Sequence, residues 1–232
     1  MMKGVLIDFG GTIDTDGRHW YKVFKRAYNS VMPGLDDALL RNAYIHAERT
    51  LGKTPVIKPE YTFLKTLECK IALQTEYLSD NGCDISNMQR NLLLDGCYSI
   101  VQDNICNVSR PELLAISESL PMVLVTNFYG NMRSVLKEFD LDSLFYDVVE
   151  SAVVGVRKPD AAIYNIALER LALPATDVVM IGDTISKDME PAIQVGCQTI
   201  WIKGEQWDDE SITPSCTPNI TITTLKGLSE LL

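Results

Sequence analysis

Three apolar runs in this chain each stop on a polar residue. VLID stops at Asp8, MVLVT at Thr126 with Asn127 beside it, and VVMIGD at Asp183. Short runs this rich in β-branched residues, bounded by turn residues, read as strands buried on both faces, and such strands belong to parallel sheets. After Pro111 strand and helix periods alternate. Strands are predicted at Met122–Thr126, Tyr146–Ser151, Val178–Asp183 and Gln198–Ile202, with a short one at Ile220–Thr223. Helices are predicted at Met132–Phe139, Ala161–Leu171 and Lys187–Val195, the last closed by Gly196, and a final helix at Leu225–Leu232. With a first strand at Lys3–Ile7, this alternation implies an α/β fold: a doubly wound, Rossmann-like parallel sheet with helices on both faces.

Between Gly17 and Val108 no strand is legible. Trp20, Val23, Phe24, Ala27 and Val31 recur at three and four residues, as do Leu39, Leu40, Ala43, Ala47 and Leu51, which is the apolar stripe of a helix. Further helices are expected at Glu60–Leu78 and Ser86–Cys106, with breaks at Pro33-Gly34, Thr54–Pro59 and Asp80–Gly82. The expected organisation is a core of residues 1–15 and 109–232 with a mostly helical domain, 16–108, inserted as a cap. A chain of 232 residues is long enough for both.

In an open parallel sheet the ligand crevice lies outside the carboxyl ends of the strands, so Asp8, Thr126, Asn127 and Asp183 should meet there. Lys158, directly before Pro159, and Asp188, five residues beyond Asp183 in GDTISKD, are placed to join them. Taken singly, each is an ordinary turn, cap or solvated residue. Together they put carboxylates, a lysine and a hydroxyl in one crevice. Magnesium with a phosphoryl group satisfies that set: carboxylate oxygens for the metal, lysine and backbone N–H for the phosphate.

A net charge of −10 disfavours nucleic acid and anionic membrane as partners. The six cysteines form no C-x-x-C pair, and with two histidines a zinc cluster is hard to build, so free thiols are expected. The apolar start is too short for a signal segment, and no apolar run reaches eighteen residues. A cytoplasmic setting is the expectation.

In its four motifs the chain resembles the haloacid dehalogenase superfamily, in particular phosphatase-like members with a helical cap after the first motif. DFGGT matches the opening D-x-D-G-T, VLVTN the strand ending in Thr, RKPD the lysine motif, and GDTISKD the closing G-D-x-x-x-x-D. The resemblance implies a magnesium-dependent hydrolase of a small phosphorylated substrate. Asp8 would be the nucleophile that forms an aspartyl-phosphate. Thr126 and Lys158 would hold and neutralise the phosphoryl group, with Gly11 and Asn127 beside them. Asp8, Asp183, Asp188 and the main-chain carbonyl of Gly10 would be metal ligands. The chain departs from the family at Gly10, where the second aspartate serves as general acid and base. Gly10 is either a lost catalyst or a glycine required by its backbone. Alternatives for the function are a catalytically impaired phosphate-ligand binding or regulatory protein, and a phosphonate-cleaving hydrolase in which Lys53, Lys58, Lys65 or Lys70 forms an imine.

Overall fold

The computed structural model describes residues 2–207 and 215–232. Six strands, β1 Gly4–Ile7, β2 Met122–Thr126, β3 Asp147–Glu150, β4 Val178–Gly182, β5 Gln198–Ile202 and β6 Ile220–Ile222, form one sheet in the order β3-β2-β1-β4-β5-β6. Every neighbouring pair is parallel. The chain leaves β1 for β2 and β3 on one side, then returns through β4 on the other. The order therefore reverses at β1, and the crevice belongs at the carboxyl ends of β1 and β4.

Alternate strand residues feed two cores, as the pleat requires. Val5, Ile7, Leu124, Ile181 and Ile200 face one side, and Leu6, Val123, Val125, Met180 and Trp201 the other. Helices α8 Ala162–Leu171 and α9 Glu190–Val195 cover the second side through Ile163, Tyr164, Ala167 and Ala192. The first is covered by α5 Arg110–Ser117 and α6 Met132–Glu138.

Helices α1 Trp20–Val31, α2 Asp37–Lys53, α3 Phe63–Asp80 and α4 Asn87–Asn104 lie between β1 and β2, with no strand among them. Their starts are chemically marked. The Asp36 carboxylate accepts from the Leu39 N–H, the Thr62 hydroxyl from Lys65, and Ser86 with Gln89 forms a capping box. Apolar residues of these helices, among them Val23, Phe24, Leu40 and Leu67, continue the first core.

Three segments differ from expectation. Helix α5 was not anticipated, because its Pro111 reads as a boundary yet sits in the first turn, where a missing N–H costs nothing. The strand around Val148 is shorter than predicted, since Ser151 opens the single-turn helix α7 Ser151–Val154. The final helix is one tight turn, Leu228–Leu231, because Gly227 at φ +84° interrupts it.

Candidate active site

Asp8 ends β1 and is 6% exposed; its N–H donates to the Ile181 carbonyl of β4 at 3.0 Å. Phe9 turns inward and packs edge-on against Phe63 and Phe128, ring centroids 6.3 and 6.0 Å away, which anchors the turn. Gly11 then adopts φ +89°, and a Cβ there would run into the Asp183 carboxylate. Only glycine combines that backbone with that closeness. Gly10, beside it, has φ −76° and ψ 116°, ordinary extended geometry, with nothing within 4 Å of a built Cβ. The backbone does not require a glycine at position 10.

Asp183 follows β4, its main-chain carbonyl held by the Trp201 indole N–H at 2.8 Å. Asp188 folds back over Gly182, whose missing side chain leaves the room it occupies; the Thr184 N–H donates to its Oδ2 at 3.0 Å. Lys158 is brought in from the loop after α7. The side-chain amide of Asn127 clamps that loop, donating to the Lys158 carbonyl at 3.0 Å and accepting from its N–H at 2.9 Å. The Lys158 Nζ then reaches Asp8 Oδ1 at 2.7 Å and Asp188 Oδ1 at 2.6 Å. Thr126 is buried, and its hydroxyl has no hydrogen-bond partner among the described residues.

Asp8, Asp183 and Asp188 each offer an oxygen within 4.8 Å of the others. Burial pushes the Asp8 carboxyl up to about 6, with Lys158 pulling it down and Asp188 pushing it further up. Asp183 is driven well above the usual carboxylate range by burial and then by Asp188 and Asp8. Burial works against the charge of Lys158, but Asp188 and Asp8 outweigh it and hold the ammonium protonated. Three buried carboxylates thus share one buried ammonium. That deficit of positive charge, with oxygen-only donors, fits a hard divalent cation.

Every predicted site residue, Asp8, Gly10, Gly11, Thr126, Asn127, Lys158, Asp183 and Asp188, lines one cavity of ≈ 200 Å³. Two of them are engaged differently from expectation. The Gly11 N–H is given to Asp14 Oδ1 at 2.7 Å, and the Asn127 amide to the Lys158 backbone. The same cavity is lined by His19, Glu48, Lys70, Arg157 and Lys187, which sequence reading did not place there as a group. Of the four lysines considered for imine chemistry, only Lys70 lines it; Lys53 lines a separate surface groove, and Lys58 and Lys65 are exposed.

A family model for haloacid dehalogenase-like hydrolases matches residues 2–196. The chain belongs to that family. It is 29% identical over 126 residues to the Escherichia coli 5-amino-6-(5-phospho-D-ribitylamino)uracil phosphatase YigB, covering 52% of this chain and 49% of that protein. It is 32% identical over 123 residues to the Escherichia coli pyrimidine 5'-nucleotidase YjjG, covering 52% and 53%. The chain spans about half the length of the curated relatives it matches. The crystal structure of the Bacillus subtilis HAD-hydrolase YfnB, bound to magnesium, superposes with a TM-score of 0.59 over 100% of this chain and 98% of that one, at 16% identity. At that identity the likeness establishes the fold. Family membership and these phosphatase relatives are what the likenesses establish beyond the fold. Its six cysteines are all free, and no helix among the described residues is long and apolar enough to cross a membrane.

Proposed function

We propose that this hydrolase is a magnesium-dependent phosphatase of small phosphorylated compounds that works through an aspartyl-phosphate on Asp8. The observation that carries this is the buried cluster in which Lys158 bridges Asp8 and Asp188 beside Asp183. Asp8, Asp183, Asp188 and the Gly10 carbonyl are the groups that would hold magnesium, whose chemistry when bound is to neutralise charge on the phosphoryl oxygens.

An Asp8 carboxylate oxygen attacks phosphorus, and the ester oxygen leaves with its electron pair. Lys158 holds Asp8 in place and stabilises the charge that passes between nucleophile and phosphoryl group. The unpartnered Thr126 hydroxyl donates to a phosphoryl oxygen. Water then opens the acyl phosphate, releasing inorganic phosphate and restoring Asp8. Position 10 offers no side chain to protonate the leaving alkoxide or to activate the water, so that proton must come from elsewhere in the cavity or from the substrate itself. Helices α1–α4 act as the cap, since α2 and α3 bring Tyr44, Glu48 and Lys70 to the cavity that Asp8 lines. The phosphonate-cleaving alternative requires an uncharged amine. Lys70 is the one inserted lysine lining the cavity, and the net effect of its surroundings is to hold its charge.

Calorimetry with magnesium and beryllofluoride, a phosphoryl mimic, tests this. The expected result is binding that needs both components and is lost in Asp183→Ala. Absence of binding, or binding untouched by Asp183→Ala, overturns the assignment.

A further inference from the structure

The cavity that Asp8 lines is also lined by a charged pair from α2 and α3. Glu48 of α2 pairs its Oε1 with Lys70 Nζ of α3 as an ion pair at 2.8 Å and accepts from the Tyr129 hydroxyl at 2.7 Å through Oε2. The Lys70 ammonium also lies 5.1 Å from the ring centroid of Tyr129 and 5.6 Å from that of Trp20, within cation–π range. Burial favours the neutral form of both partners, yet their mutual attraction outweighs it, leaving Glu48 below its ordinary range and Lys70 above it. Both are ionised, and the pair carries no net charge.

Charge elsewhere in the cavity is balanced by a single phosphoryl group. The floor carboxylates with Lys158 are matched by one divalent cation. A phosphoryl dianion is matched by Arg157 and Lys187, which have no ion pair among the described residues. A second anionic group on the substrate would sit against Glu48 with nothing to compensate it. Hydroxyls, by contrast, are well served. A carboxylate has about four lone-pair sites, of which Glu48 gives one to the Tyr129 hydroxyl, and an ammonium has three donors. His19 adds a donor: its Nδ1 accepts from the Tyr21 N–H at 3.1 Å, which places its proton on Nε2. At ≈ 200 Å³ the cavity lies below the roughly 300–1,000 Å³ usual for larger ligands.

We propose that Glu48 and Lys70 select the leaving group, and that the substrates are phosphate monoesters of short uncharged polyols, neither carboxylate-bearing esters nor nucleotides. This rests on the phosphatase reading above and narrows it.

The test is calorimetric binding to the Asp8→Asn protein with magnesium present, so that affinity is read without turnover. Methyl phosphate, glycerol 3-phosphate, 3-phosphoglycerate and cytidine monophosphate are the probes. Glycerol 3-phosphate is expected to bind about tenfold or more tighter than methyl phosphate and 3-phosphoglycerate, the scale of one hydrogen bond to a charged group. Cytidine monophosphate is expected to bind weakest. Adding Glu48→Gln is expected to erase the preference for glycerol 3-phosphate over methyl phosphate, and Tyr129→Phe, a milder change, to reduce it. The wild-type wall ranks the probes without any substitution in it. The proposal is overturned if 3-phosphoglycerate or the nucleotide binds as tightly as glycerol 3-phosphate, or if Glu48→Gln leaves the preference intact. Methyl phosphate separates the two readings: if it binds without selectivity among the larger esters, only this proposal fails, and if nothing binds, the phosphatase reading fails with it.

Discussion

Gly11 holds a left-handed backbone with the Asp183 carboxylate where its Cβ would be, while Gly10 has an unstrained backbone and open space on its cavity side. The two glycines therefore predict opposite outcomes when substituted. Gly11→Ala is expected to lower stability by about 1–3 kcal/mol from backbone strain alone, with the Asp183 collision added to it. Gly10→Asp is expected to leave the thermal midpoint near the native value. It should raise turnover of esters with poor leaving groups by roughly ten- to a thousand-fold, within the range that general acid–base groups contribute. Esters such as p-nitrophenyl phosphate, whose leaving group needs no proton, should gain less. Parallel rate and melting measurements decide this. A Gly10→Asp protein that is stable, binds magnesium and is no faster would show that position 10 is not where the acid is missing.

At the scale of elements, what could be read from sequence was what a period or a strand end encodes. The stripe Trp20, Val23, Phe24, Ala27, Val31 marks α1 closely, and the polar residues closing three apolar runs locate the crevice, because both follow from local geometry. What could not be read depends on contacts between elements. Glu48 and Lys70 lie on different helices and meet only through the packing of α2 on α3. Asp14 was also opaque, since its role depends on where the turn after β1 carries its side chain. It is 1% exposed and fastens the whole β1–α1 turn, accepting from the Gly11 N–H at 2.7 Å, the Thr15 hydroxyl at 3.1 Å and the Trp20 indole at 2.7 Å. Asp14→Ala leaves the Gly11 and Trp20 N–H groups unpaired, at about 1–3 kcal/mol for each one, while the Thr15 hydroxyl keeps the Arg18 carbonyl at 2.6 Å. It should also lower kcat by releasing the turn that sets Asp8 and Gly10. Asp14→Asn, which keeps one acceptor oxygen, should lose less of both. Equal losses in the two variants, measured by melting and by p-nitrophenyl phosphate turnover, would mean that volume and not hydrogen bonding holds the turn.

For the whole molecule, two buried groups pull the stability–pH profile in opposite directions. Asp14 is raised to about 7 by burial, partly offset by the hydrogen bonds from Trp20 and Gly11. Between about 4 and 7 the folded state therefore holds more protons at that site than the unfolded chain, and this contribution weakens stability as pH rises. His19 does the reverse. Burial lowers its pKa from 6.5 to about 4, with Lys187, Lys22 and Lys70 pushing the same way and Glu48 opposing. Between those values the unfolded chain binds the proton that the folded state refuses, so the stability present above pH 6.5 is lost as pH falls towards 4. His19→Asn separates the two, since asparagine keeps a cap acceptor at the start of α1 but does not titrate. The variant loses the ring contacts to Trp207 and Tyr44, at centroid distances of 5.0 and 6.0 Å, so it should be the less stable protein at pH 8. On acidification its deficit should shrink by about 1–3 kcal/mol, because one unit of pKa shift corresponds to about 1.4 kcal/mol. Denaturant melts of both proteins from pH 8 to pH 4 measure this directly. A deficit that stays constant across that range would mean that His19 is protonated as readily in the folded protein as in the unfolded chain, and its place as a fixed neutral donor in the cavity wall would fall with it.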